Sequence, residues 1–318
     1  MMWPWARPAS AAAVLVIVVW RLGGGPFLDG LRAVDAGALA AATLIGAVTT
    51  VCCAWRWTVV ARALDIHISL PAAVAAYYRS LFLNLTLPGG VVGDIHRGVT
   101  HGREAKNMGR ALRAVAWERG IGQAVQLALT VLVLLALPSP ARSSMPVVVA
   151  GVAVAALGIL LVRRRRPGHV RRVIAGDLRA GVLARRSLAP MAIASSAVVL
   201  GHATTFAIAA RTAGASAPAS RVLPLALLAM LAMVVPSLGG WGPREGAAAW
   251  VFGSAGLGAG LGVSTAVAYG VMVLVASLPG GLLLAGAWLR RGSSRRRPGP
   301  AAECRVAVAT HQHGARRV

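Results

Sequence analysis

The 318-residue sequence is 57% hydrophobic and 13% charged, with a formal net charge of +24 at pH 7. Soluble domains carry roughly 25% charged residues, so this composition excludes an ordinary soluble fold. The positive charge would indicate nucleic-acid binding in a soluble chain, but these arginines lie in short segments between apolar runs, as in the cytoplasmic loops of membrane proteins. We therefore predict an all-α, polytopic integral membrane protein that does not bind nucleic acid.

Apolar segments recur along the whole chain. A bilayer core of about 30 Å needs about 20 mostly apolar residues per helix, and about eight segments meet this requirement. The predicted spans lie near residues 9–28, 36–60, 114–137, 145–162, 187–210, 222–236, 246–262 and 264–289. Together they predict a transmembrane domain over residues 1–292, followed by a disordered, basic cytoplasmic tail over residues 293–318.

The arginines predict the orientation of the chain. The densest group comprises Arg163, Arg164, Arg165, Arg166, Arg171, Arg172, Arg179, Arg185 and Arg186. Short basic loops stay in the cytoplasm, so alternation of the spans places both termini there. This holds only if residues 70–95 form a re-entrant hairpin and not a full span. The near absence of lysine suggests a GC-rich bacterial genome, hence a bacterial inner membrane. The basic segment could also bind anionic headgroups.

Two segments, residues 78–97 and 235–246, interrupt apolar sequence in the same way. Each runs into a proline, then a glycine pair, then a carboxylate close to an arginine. Paired Gly/Pro-broken segments indicate a transporter binding site, because unwound backbone is tolerated only where it lines a cavity. The alternative is a pair of ordinary cytoplasmic turns. The residues predicted to shape the backbone are Pro88, Gly89, Gly90, Gly93, Pro236, Gly239, Gly240 and Gly242.

Acidic residues are scarce, with nine in the chain. Asp94, Glu118 and Glu245 abut or enter apolar segments, where ionisable groups are costly unless paired and are functional candidates by default. Adjacent helical residues do not face each other, so we expect Glu118 to pair with another segment and not with Arg119. The three carboxylates are predicted to share one cluster with three arginines, which are Arg79, Arg97 and Arg244.

No metal, cofactor or catalytic residue is predicted. Cys52, Cys53 and Cys304 have neither metal-ligand spacing nor a disulfide pattern. His96 and His101 are five residues apart and do not share a helix face as residues four apart would.

Three motifs in order carry a resemblance to a known family. They are Asn84, Pro88, Gly89, Gly90, Gly93, Asp94 and Arg97; then Glu118 and Arg119; then Pro236 through Gly246, with Gly242, Arg244 and Glu245. Over about residues 10–290 the chain resembles the flippase-like transmembrane region of lysylphosphatidylglycerol synthase. The resemblance implies an inner-membrane protein that moves or handles lipids, and adds Asn84 and Arg119 to the predicted substrate-binding residues.

The chain also departs from the full-length synthase. No sequence after Arg290 is predicted to form the cytoplasmic aminoacyl-transfer domain, so the resemblance does not imply lipid aminoacylation. Pro243 is a second departure, in a position where a less rigid residue is expected.

We therefore expect a protein that binds or translocates an anionic or aminoacylated lipid, either a phospholipid or a polyprenyl-linked lipid. Arg79, Arg97 and Arg244 would hold the phosphate, since the planar guanidinium binds phosphate bidentately. Two alternatives remain open. One is a membrane-embedded transferase with Asp94 or Glu118 as general base, and the other is a non-catalytic partner of a separate lipid synthase.

Overall fold

The described parts of the chain are helical. The computed structural model describes residues 16, 19–87, 90–136, 168–179, 184–234 and 241–295, and no strand occurs within these ranges. The helices, numbered α1 to α10 in chain order, are Gly25–Arg32, Ala36–Ala63, Leu70–Thr86, Val92–Glu104, Met108–Ala136, Gly168–Arg179, Arg185–Thr212, Ala219–Leu231, Pro243–Ser254 and Ala259–Arg295. The predicted all-α class is confirmed.

Four of these helices are long and apolar enough to cross a membrane. They are Ala36–Ala63, Met108–Ala136, Ser187–Thr212 and Ala259–Arg290, whose most apolar 18-residue windows have mean hydropathies of 1.9, 1.6, 1.6 and 2.0, respectively. They confirm the spans predicted near 36–60, 114–137, 187–210 and 264–289, although the second and fourth begin several residues earlier. The protein is therefore a multi-pass membrane protein.

Large apolar side chains face outwards on these helices. Leu44 is 69% exposed, Ile193 70% and Leu282 74%. Such exposure would be unfavourable in water, but it suits a surface that contacts lipid chains.

The other predicted spans are described only in part or not at all. The span near 145–162 lies outside the described residues, as does the tail beyond residue 295. The described part of the first span breaks at Gly23, whose φ is 76°. In the span near 222–236, α8 ends at Leu231 and a short 3-10 helix, Ala232–Val234, follows it.

The span predicted near 246–262 is wrong. Helix α9 ends at Ser254, and α10 begins at Ala259 after a turn in which Gly256 and Gly258 have φ values of 73° and 95°. These left-handed conformations favour glycine and end the helix. A Cβ at Gly262 would lie 2.3 Å from the Ala248 carbonyl oxygen, so α9 and α10 pack closely as a helical hairpin.

Helices α3 and α4 form a second hairpin, which contains the first broken segment. A Cβ at Gly93 would lie 2.0 Å from the Ser80 carbonyl oxygen, so the two helices touch backbone to backbone. Gly90, in the connection, has a φ of 63°. The hairpin is compatible with a re-entrant segment, whose position in the bilayer stays a prediction.

Besides pairing with α9, helix α10 packs against α3 of the second hairpin and against α1, α2 and α7. Beside α3, a Cβ at Gly280 would lie 2.0 Å from the carbonyl oxygen of Tyr78. Helices α2, α3, α4 and α5 also pack against one another, and the candidate site lies between them.

Candidate functional site

Five charged residues from three helices meet in the interior between α2, α4 and α5. They are Arg56, Asp94, Arg97, Glu118 and Arg119, and we refer to them as the charge cluster. The side chains of Arg97 and Glu118 are wholly buried, that of Asp94 is 8% exposed and that of Arg119 is 40% exposed. Buried ionic groups are stable only when they are paired, and these residues form a continuous chain of pairs.

Glu118 lies at the centre of the charge cluster. Its Oε2 accepts a hydrogen bond from Nη2 of Arg97 at 2.6 Å, and its Oε1 accepts from Nε of Arg56 at 2.9 Å. The hydroxyl of Tyr77 also donates to Oε1, at 3.1 Å. Glu118 thus connects α5 with α2, α3 and α4. The expectation that it pairs with another segment is confirmed.

Asp94 is held by four neighbouring side chains. Its Oδ1 accepts from Oγ of Ser80 at 3.2 Å and from Nε of Arg97 at 3.1 Å. Its Oδ2 accepts from Nδ2 of Asn84 at 3.0 Å and pairs with Nη2 of Arg119 at 2.5 Å. The carboxylate is therefore satisfied from α3, α4 and α5 together.

Asn84 also stabilises the turn between α3 and α4. While its Nδ2 donates to Asp94, its Oδ1 accepts from the backbone N–H of Gly93 at 2.7 Å. One amide therefore satisfies a free N–H in the first turn of α4 and orients the carboxylate one residue later.

Arg97 lies between two aromatic rings. Its Cζ is 4.3 Å from the centroid of Tyr77 and 4.8 Å from that of Trp57, both within cation–π range. Its Nη1 is buried and has no hydrogen-bond partner, and the same is true of Nε of Arg119. Three arginines against two carboxylates leave the charge cluster with a formal charge of +1. The cluster therefore has both excess positive charge and unused donors.

The second broken segment contains a separate ion pair. Arg244 donates to Oε1 of Glu245 from Nε at 3.0 Å and from Nη2 at 2.5 Å, and both residues are buried. Oε2 of Glu245 accepts from the N–H of Gly242 at 2.6 Å and caps α9. The Arg244 guanidinium lies over Trp241 and Tyr269, with Cζ at 4.9 and 5.4 Å from their centroids.

The two charged groups do not form the single cluster that the sequence predicted. Within the described ranges, no ion pair or hydrogen bond joins the charge cluster to the Arg244–Glu245 pair. A Cβ at Gly270 would lie 2.4 Å from Nη2 of Arg244, whereas Gly280 packs against α3. The Arg244–Glu245 pair therefore packs beside Gly270 of α10, whereas the charge cluster is formed by side chains of α2, α4 and α5.

Arg79 is also outside the charge cluster. It lies on α3, about 100° round the helix from Ser80 and about 140° from Asn84, so it faces away from Asp94. The side chain is half-buried, and its Nε has no hydrogen-bond partner. Among the described residues, no ion pair joins Arg79 to the charge cluster, so the prediction that Arg79 joins Arg97 is wrong.

The structure adds three residues to the predicted set, namely Arg56, Tyr77 and Ser80. Arg56 carried a usable signal, since a charged residue inside an apolar span marks a candidate site. Tyr77 and Ser80 carried none, because hydroxyls are common in membrane helices. Among the residues predicted to shape the backbone, Gly90, Gly93 and Gly242 are described. The others, Pro88, Gly89, Pro236, Gly239 and Gly240, lie outside the described residues.

Metal binding has no obvious location in the described part of the chain. There, no three His, Cys, Asp or Glu side chains lie close enough to hold an ion. His101 contacts Glu104 through Nδ1, at 3.3 Å.

Fold and site define a multi-pass, all-α membrane protein with a buried cluster of ion pairs among its helices. The chain belongs to the family of the lysylphosphatidylglycerol synthase TM region, whose sequence model matches residues 5–281. The resemblance drawn from the three motifs is thereby confirmed. No curated protein matches the chain significantly.

Proposed function

We propose that this protein binds the anionic headgroup of a membrane lipid at the charge cluster and carries that lipid across the bacterial inner membrane. The observation behind the proposal is the excess positive charge of the cluster, together with the unpartnered Nη1 of Arg97 and Nε of Arg119. An unsatisfied buried donor is costly, so a ligand that offers acceptor oxygens is favoured.

A phosphate group suits these donors chemically. Guanidinium groups bind phosphate through two parallel N–H bonds, and this geometry distinguishes arginine from lysine. The exposed apolar faces of the long helices would leave the acyl or prenyl chains of the lipid in the bilayer. Arg244 and Glu245 neutralise each other, so we assign headgroup binding to the charge cluster and expect the second pair to stabilise the α9 hairpin.

Family membership supports a role in lipid handling, since the matching model is named for a lipid synthase. The arginine distribution favours a topology with both termini in the cytoplasm. The family name also keeps a second function open, in which this protein is the membrane partner of a separate lipid synthase and binds lipid without moving it.

Binding can be tested by native mass spectrometry of the detergent-purified protein with an equimolar mixture of phosphatidylglycerol and phosphatidylcholine. We expect the anionic lipid to be retained preferentially. Arg97→Lys should weaken this preference, because a lysine keeps the charge but cannot reproduce the fixed, planar donors of the guanidinium, including the unpartnered Nη1. Arg103→Gln is the matched control, since Arg103 lies exposed on the same helix. Equal retention of both lipids by the wild-type protein would contradict the proposal.

Translocation needs its own measurement. The protein is reconstituted into vesicles that contain a fluorescent anionic phospholipid, and a membrane-impermeant quencher reports the fraction in the outer leaflet. We expect quenching to exceed half of the signal and Arg97→Lys to return it towards the protein-free value. Selective binding without transport would favour the partner function.

A further inference from the structure

Arg119 is the accessible edge of the charge cluster. Its side chain is 40% exposed, whereas that of Arg97 is wholly buried and that of Asp94 is 8% exposed. Arg119 reaches into the cluster through one contact, from Nη2 to Oδ2 of Asp94 at 2.5 Å. Its Nε is unpartnered. A headgroup that approaches from outside would meet this guanidinium before the buried ones.

Asp94 does not depend on Arg119. If the contact at Oδ2 breaks, the carboxylate keeps its bonds from Ser80 and Asn84 and its ion pair with Arg97. Glu118, the residue immediately before Arg119, pairs instead with Arg56 and Arg97. No ion pair between Glu118 and Arg119 occurs among the described residues. Breaking the other ion pairs of the cluster would leave a charge buried without full compensation, which is costly.

We infer that Arg119 exchanges Asp94 for the phosphate of the lipid, and that Asp94 acts as an internal competitor for this arginine. The inference rests on the proposed function. On binding, the Arg119–Asp94 ion pair opens and the guanidinium turns two N–H groups to two phosphate oxygens, while Asp94 stays held by α3 and α4. On release, the ion pair closes again.

The exchange explains how a cluster with three arginines can let an anion go. Without the competitor, Arg119 and the excess charge would hold a phosphate tightly, and a carrier must also release its cargo. Asp94 is therefore a positioning residue that sets the affinity of the site, and Arg119 is the ligand-contacting residue at its accessible edge.

The direction in which one substitution changes the lipid affinity tests this assignment. We expect Asp94→Asn to raise the affinity for phosphatidylglycerol, titrated into the detergent-purified protein, roughly threefold to tenfold, because the competitor loses its charge. Arg119→Gln should lower the affinity, and the double variant should behave like Arg119→Gln. A reduced or unchanged affinity in Asp94→Asn, with the helix content and melting temperature of the wild-type protein, would overturn the exchange.

Two further variants separate exchange from general electrostatics and from misfolding. Glu118→Gln changes the net charge equally but removes no partner of Arg119, so an equal rise in affinity would overturn the exchange. Arg119→Lys, at a half-exposed position, keeps an ion pair with Asp94 and should still bind lipid more weakly. Unchanged affinity in both Arg119 variants would also overturn it.

The wild-type protein distinguishes this inference from the proposed function. Absence of any preference for phosphatidylglycerol over phosphatidylcholine would overturn both. A clear preference combined with the wrong sign for Asp94→Asn would overturn the exchange alone.

Discussion

Arg56 and Glu118, 62 residues apart in sequence, pair in the interior through Nε and Oε1 at 2.9 Å. Nη1 of Arg56 also donates to Oγ of Ser195 at 2.8 Å, so this side chain connects α2 with both α5 and α7. The arginine lies inside an apolar helix, where an uncompensated charge would be unstable. The pair is thus a structural requirement of the helix packing.

Removal of this arginine should destabilise the protein. We expect Arg56→Met to lower the free energy of unfolding by about 3 kcal/mol, the magnitude typical of breaking a buried ion pair from one side. The loss should be visible as a lower melting temperature in detergent. Arg62→Gln, at an exposed position on the same helix, is the control and should melt like the wild-type protein. Equal melting temperatures for all three proteins would contradict this reading.

The backbone contact in the α3–α4 hairpin leads to a second prediction. In Gly93→Ala the added methyl would overlap the Ser80 carbonyl oxygen, and neither backbone can move away without disturbing Asp94. Overpacking of this kind costs about 1–3 kcal/mol. Thermal melting and lipid affinity should both decline. For comparison, Gly120→Ala on α5 meets no atom within 4 Å and should be neutral or slightly stabilising.

The basic helix α6 should depend on one carboxylate. Asp177 is 4% exposed, and its Oδ2 accepts from Nε of Arg113 at 2.9 Å and from Nε1 of Trp117 at 3.0 Å. We expect Asp177→Asn to weaken this attachment and to speed trypsin cleavage at arginines of α6, as followed by gel electrophoresis. Arg113→Gln should have the same effect. An unaltered cleavage rate in both variants would show that other contacts hold the helix.

The topology of the α3–α4 hairpin is open to direct labelling. Ser69 precedes α3 and His101 lies near the end of α4, so the antiparallel hairpin brings both to the same end. In a cysteine-free background, single cysteines at these positions should react only with reagent that reaches the cytoplasm. A periplasmic reporter fused after Arg290 should stay inactive. Labelling from opposite sides would mean that residues 70–95 cross the membrane.

Hydropathy and spacing alone determined the long helices, because the need for about 20 apolar residues is local to each segment. The same hydropathy argument wrongly predicted one span over 246–262, because average hydropathy does not reveal that Gly256 and Gly258 adopt left-handed conformations that end the helix. Charge beside apolar sequence is rare and costly, and on that ground Asp94, Arg97 and Glu118 were predicted as site residues, while the family resemblance added Arg119. The structure brings these four side chains together.

Only the tertiary structure decided which of these charges meet. Arg56 pairs with Glu118 because α2 packs beside α5, and Arg79 is left out because it projects from another face of α3. The two broken segments look alike in sequence, yet the first contributes to the charge cluster and the second forms a separate Arg244–Glu245 pair. The sequence predicts that a charge inside an apolar segment needs an ion-pair partner. Which residue becomes that partner depends on how helices far apart along the chain pack against each other.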